Sequence, residues 1–172
     1  MMLVEEKDIT LWANQRNAQS LLPKLIRRLI IATVNHINRL NIRTGDGIQS
    51  KGWDGILEAD EGPWLVPDGV SCWEFSTSDD KATKANSDYQ KRSSDPGDID
   101  PSQSTFIFVT PRRWSNKKNW QDTKREENVW HNVLAYDVDD IETWLEIAPA
   151  VHIWFSILLG KYPENAIDLE NY

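Results

Sequence analysis

The chain has 172 residues, of which 40% are hydrophobic and 27% charged, and a formal net charge of −8. That length predicts one domain with a real core, residues 1–162, and the apolar and charged fractions are those of a soluble globular protein. No apolar run reaches a membrane span, no leader peptide is readable, and the single cysteine, Cys72, excludes both an internal disulfide and a zinc held by cysteines. A cytoplasmic protein without a membrane partner is expected.

The charge is uneven. Residues 126–172 hold ten acids and one base, whereas residues 1–125 hold eighteen bases and seventeen acids. The body is therefore nearly neutral and carries basic pairs, Arg27–Arg28, Lys91–Arg92, Arg112–Arg113, Lys117–Lys118 and Lys124–Arg125. Such pairs permit a phosphate-contacting face and equally suit a solvated surface. His36, His131 and His152 show no metal-ligand spacing.

In chain order, "ITLWA" reads as a short strand or helical turn. Residues 18–40 read as one helix, with Ser20 as its cap and an apolar stripe from Leu22 to Thr33. Residues 41–52 read as loop, with turn chemistry at "TGDG". Strands follow at 53–59 and 71–76, the second dense in apolar and aromatic residues as a buried central strand would be. Residues 79–92 predict a helix with acids first and bases last. "TFIFVTP", residues 105–111, is a continuous strand ended by proline. A polar helix at 115–128 and a strand at 132–137 come next. "DDIETWLEIAPAVHIWFSILLG" closes the domain as helix, break at Pro149, and helix, with Gly160 as the stop. Residues 163–172 read as a linker or the edge of a longer protein. Strands alternating with helices predict an α/β domain with a mixed central sheet flanked by helices. The nine tryptophans read mainly as core.

Two acids carry the chemistry. Asp54 in "GWDG" falls early in one strand, and Glu74 in "WEFST" falls late in the next. If those strands pair antiparallel, the two carboxylates converge. Paired hard oxygen ligands at a strand end suit Mg²⁺ or Mn²⁺. Gly52 and Gly55 would let backbone or nucleic acid approach.

This order of elements, with Asp on one strand and Glu on the next, resembles the PD-(D/E)xK nuclease superfamily, the restriction-endonuclease-like fold. The resemblance implies a metal-dependent endonuclease that hydrolyses DNA phosphodiester bonds with little sequence preference. Asp54 and Glu74 would be the metal ligands, with the Phe75 backbone carbonyl as a third. The chain departs from the motif at Ser76, where the motif lysine would stand. Lys84, and next Lys81, on the following helix would replace it, as happens within the superfamily. Lys91, Arg92, Arg112, Arg113, Lys117 and Lys118 would hold the nucleic-acid backbone. RNA is an open alternative to DNA.

The stretches "LPKLIRRLI", "GWDG", "WEFSTSDDKATKANSDYQKR", "FIFVTPRRW" and "DDIETWLEIAPAVHIWF" also resemble the N-terminal domain of large bacterial multidomain proteins. That likeness covers most of the chain. It implies a nuclease-like module attached to further domains, serving antiviral defence, and a homodimer where both strands are cut. The missing motif lysine favours a different class of function, a degenerate nuclease-fold module that binds nucleic acid or protein without cutting.

Overall fold

The computed structural model describes residues 3–44 and 52–163. Helices α1 (Glu6–Ala13) and α2 (Ala18–Thr33) lead into strands β1 (His36–Ile42), β2 (Gly55–Asp60) and β3 (Gly69–Phe75). Helix α3 (Lys81–Ser94) precedes β4 (Ser104–Val109), and α4 (Lys117–Glu126) precedes β5 (Asn132–Tyr136). Helices α5 (Val138–Glu146) and α6 (Pro149–Leu158) follow. The result is an α/β fold, a five-stranded mixed sheet with six helices packed around it.

The strands lie in chain order across the sheet. β1, β2 and β3 form an antiparallel meander, while β3, β4 and β5 run parallel, with α3 and α4 as the connections. Alternation along β3 and β4 divides the core in two. Trp73, Phe75, Ile107 and Val109 pack with α1, α2, α5 and α6. Cys72, Phe106 and Phe108 pack with Ala85 and Tyr89 of α3 and with Trp120 of α4. Seven of the nine tryptophans are buried in these two layers, so the core reading of the aromatic content holds; Trp154 is half-buried and Trp64 is 70% exposed. Edge strand β5 is blunted by Gln121, whose Oε1 accepts the Ala135 N–H at 2.8 Å.

The helix expected over 18–40 ends at Thr33, and residues 36–42 form β1 instead. A bulge explains the misreading. Ile37 pairs with Ala59 and Arg39 with Glu58, so Asn38 is an extra residue. Ile37, Leu40 and Ile42 then all serve the α2-side layer, although Ile37 and Leu40 are three apart. An inserted residue turns the strand period of two into a spacing that imitates a helix. Ser20 is not the cap of α2 either, since Asn17 holds that position and the Ser20 hydroxyl donates to its carbonyl. "ITLWA" lies within α1. The expected turn at "TGDG" falls mostly, and the expected linker at 163–172 almost wholly, outside the described residues. Among the described residues no helix is long and apolar enough to cross a membrane.

Candidate active site

The β2–β3 ladder brings the two acids together. Its last pair is Gly55 with Trp73, which sets Asp54 and Glu74 opposite one another one residue further on. Gly55 is required here for packing, because a Cβ would meet Ile42 Cγ1 at 2.9 Å and Trp73 Cβ at 3.3 Å. Its openness serves the neighbouring strands. Asp54 is half-buried, and its Oδ2 accepts the Phe75 N–H at 3.0 Å. In an extended strand the N–H and C=O of one residue point to the same edge. The Phe75 carbonyl is thus directed toward the Asp54 side.

Glu74 is 4% exposed and lies within hydrogen-bonding reach of Asp54. Burial, and then the bond to Asp54 and its charge, push the Glu74 carboxyl up to about 9, against the opposing pull of Arg92. Arg92 on α3 forms a tight ion pair with Glu74 Oε1, donates to the Gly52 carbonyl and covers the Trp53 ring at 5.1 Å. Gly52 can take its φ of +120° without strain, which only glycine does readily. Charge balance is then simple. Two carboxyls lie together, and one guanidinium, that of Arg92, is the cation set against them.

The helix that delivers Arg92 also delivers Lys84. Lys84, Asp88 and Arg92 follow at i, i+4 and i+8, along one face of α3. Lys84 Nζ lies 2.7 Å from Asp88 Oδ1 and makes its contact there rather than with Asp54 or Glu74. Lys81 is half-buried at the start of α3, on the turn before Lys84. Lys91 is exposed and lines a cleft of about 430 Å³ with Gly52, Trp53 and Arg92. Ser76, at the position of the motif lysine, is buried; its N–H donates to the Val109 carbonyl and its hydroxyl accepts the Ser78 N–H.

The basic residues assigned to backbone contact are mostly committed elsewhere. Arg92 serves Glu74. Arg112 donates to the carbonyls of Thr77 and Ala13 and to Asn14 Oδ1, and pairs with Asp79 at 2.8 Å. Arg113 bridges Glu6 and Asp139. Lys117 is shared by Asp137 and Asp140. These long-range bonds tie the chain's start to the loops that leave β3 and β4. Lys118 is exposed and pairs with Asp122 at 2.9 Å.

The donor set fits a hexahydrated-type ion that keeps most of its waters. Asp54, Glu74 and the Phe75 carbonyl offer three oxygens, and Mg²⁺ is commonly held by one or two carboxylates. Among the described residues there is no group of three or more His, Cys, Asp or Glu side chains suited to a metal. An ion entering the two-acid arrangement meets a buried Glu74 already held by Arg92. It must displace the guanidinium and the proton that burial favours on Glu74. The role of Arg92 had no signal in the local motif and is visible only in its i+8 relation to Lys84. No family model, curated protein or solved structure matches this chain.

Proposed function

We propose that the chain is a divalent-metal-dependent phosphodiesterase module with a restriction-endonuclease-like core, acting on DNA with little regard to sequence. The observation that carries this reading is the Asp54–Glu74 pair, two carboxyls in contact at the point where two antiparallel strands meet. A buried carboxyl raised by burial beside a second acid is a ready exchange site for a dication, which needs both carboxylates ionised.

A bound Mg²⁺ or Mn²⁺ would supply Lewis acidity toward a phosphate oxygen and acidify an attacking water. Asp54 and Glu74 hold and neutralise it, with the Phe75 carbonyl facing the same edge. Arg92, once released from Glu74, is free to stay on the Gly52 carbonyl beside the Lys91 cleft. Lys84 is held by its ion pair with Asp88, from which it would orient the nucleophile or stabilise charge developing on phosphorus. Lys81 is its substitute on the preceding turn. Lys91 and Lys118 retain exposed positions from which to meet a backbone. The family likeness extends the proposal to a cytoplasmic module beside further domains in antiviral defence, paired where both strands are cut.

Plasmid degradation with Mg²⁺ or Mn²⁺ tests this, run beside RNA of the same sequence. Wild-type chain should nick DNA, and Asp54→Ala and Glu74→Ala should fall to background. Equal nicking by all three rejects the assignment.

A second reading has an observation of its own. Arg92 already occupies Glu74 and Ser76 replaces the motif lysine, so the same fold suits a non-cutting module that binds nucleic acid or protein. In that case Mn²⁺ binding to the wild type would be no tighter than to Asp54→Ala.

A further inference from the structure

We infer that the outer face of α2 is a track for a phosphodiester backbone that leads to the Asp54–Glu74 end of the sheet; the track rests on the nuclease reading for its direction but not for its existence. Lys24, Arg27 and Arg28 stand exposed on α2 and line a groove of about 410 Å³ with Ile31, Ala32, Val151 and Thr44. Among the described residues no carboxylate lies within ion-pair distance of any of the three. This contrasts with Arg92, Arg112, Arg113 and Lys117, all of which are answered by acids. In a chain of net charge −8, three adjacent unanswered cations mark a local site for an anion.

Two of the three are also pre-positioned. The Arg28 guanidinium lies 4.2 Å from the centroid of the Trp154 ring on α6, and Lys24 Nζ lies 5.8 Å from it. Stacking on an indole fixes the guanidinium plane and leaves its N–H edges free to donate. Residues 24 to 28 span about 6 Å along the helix axis. Successive phosphates of one strand advance about 3.4 Å along a duplex, so these side chains reach neighbouring phosphates.

The groove runs toward the acids. Thr44 lines it, and the preceding residue, Arg43, donates its N–H to the Asp54 carbonyl at 3.2 Å. A backbone lying along α2 thus reaches the end of the sheet that carries Asp54, and would pass around edge strand β1 to meet the α3-side face where Glu74 lies. The groove offers Ile31 as its largest exposed apolar side chain, too little for insertion among acyl chains. Three like charges without an apolar anchor also suit a polyanion better than a folded acidic protein, whose interface would centre on buried anchors.

The test separates binding from cutting. Fluorescence anisotropy of a labelled duplex of about 30 base pairs is followed between about 50 and 200 mM salt. The protein is the full chain carrying Asp54→Ala, with or without Lys24→Gln, Arg27→Gln and Arg28→Gln together, in EDTA. Circular dichroism and the melting temperature confirm the fold of each. The triple change should weaken binding at least tenfold and flatten the log–log salt slope by roughly 2 to 3. A Lys24→Glu, Arg27→Glu, Arg28→Glu version should weaken it further. Unchanged affinity and slope overturn the track, as does absence of duplex binding by the starting chain. Loss of binding to phosphatidylserine vesicles or to polyglutamate, with duplex binding intact, also overturns it. Cleavage by a protein indifferent to the triple change removes the track and keeps the carboxylate site. Binding through the triple without cleavage does the reverse.

Discussion

Two clusters near the ends of the strands each join two acids to one base, and they are built for opposite ends. Asp137 and Asp140 face Lys117, while Asp54 and Glu74 face Arg92. Asp137 caps α5. It accepts the Trp114 and Asp139 N–H groups, both at 3.1 Å, and its own N–H is taken by Asp140. Although burial opposes it, Lys117 and these donors hold the Asp137 carboxyl below its usual range, while burial raises Asp140. Among the described residues no backbone N–H donates to Glu74, and burial together with Asp54 pushes it up to about 9. A buried acid supplied with N–H donors stays ionised and fastens the fold. A buried acid denied them holds a proton, and a cation can claim its place.

Removing a member of the fastening cluster should have the largest effect on stability. Asp137→Ala loses a cap, the bond from Trp114 and the partner of Lys117, and should cost about 3 kcal/mol in urea unfolding. Its nicking rate per folded molecule should stay near wild type. Glu74→Gln reproduces the protonated acid in shape and charge. It should change stability by no more than about 1 kcal/mol, yet cut nicking by about a hundredfold or more. If Glu74→Gln unfolds the chain while Asp137→Ala does not, the contrast between the clusters is wrong.

Acidity should separate the clusters as well. The Glu74 carboxyl is raised from its ordinary 4.5 to about 9, so the folded state binds the extra proton. The stability it contributes is full below pH 4.5 and is lost as pH rises toward about 9. Asp137 is lowered from 3.8, so its contribution is present above that value and is lost as pH falls below it. Urea midpoints should therefore decline between pH 6 and 9 in the wild type and decline less in Glu74→Gln. Mn²⁺ affinity should rise across that same interval, because the ion competes with the proton. The smallest effects belong to the lysine helix. Lys84→Met should slow nicking while leaving Mn²⁺ affinity within about twofold, whereas Lys118→Ala should weaken nicking only slightly and leave both Mn²⁺ affinity and stability unchanged, since exposed pairs contribute little.

How legible these features were in the sequence follows from the range of each interaction. Asp54 and Glu74 could be brought together on paper because both sit at strand ends joined by one short connection. The break at Pro149 came from local chemistry in the same way. β1 was hidden because the bulge at Asn38 makes Ile37 and Leu40 keep a helical spacing. The basic pairs were illegible for another reason. Arg112 reaches Asn14, and Arg113 reaches Glu6, across about a hundred residues, so no window of sequence shows that those cations are already answered. The same blindness concealed Arg92, whose partner lies on a strand before its own helix. It also made Lys24, Arg27 and Arg28 look like any other charged helix face, although among the described residues no acid pairs with any of the three.

The most direct measurement is calorimetric titration of Mn²⁺ into the wild-type chain at pH 7, in two buffers of different ionisation enthalpy. One ion per chain should bind, with release of about one proton, because the ion replaces the proton that burial favours on Glu74. Asp54→Ala and Glu74→Gln should abolish both signals. Absence of binding, or binding that neither substitution alters, would contradict the account.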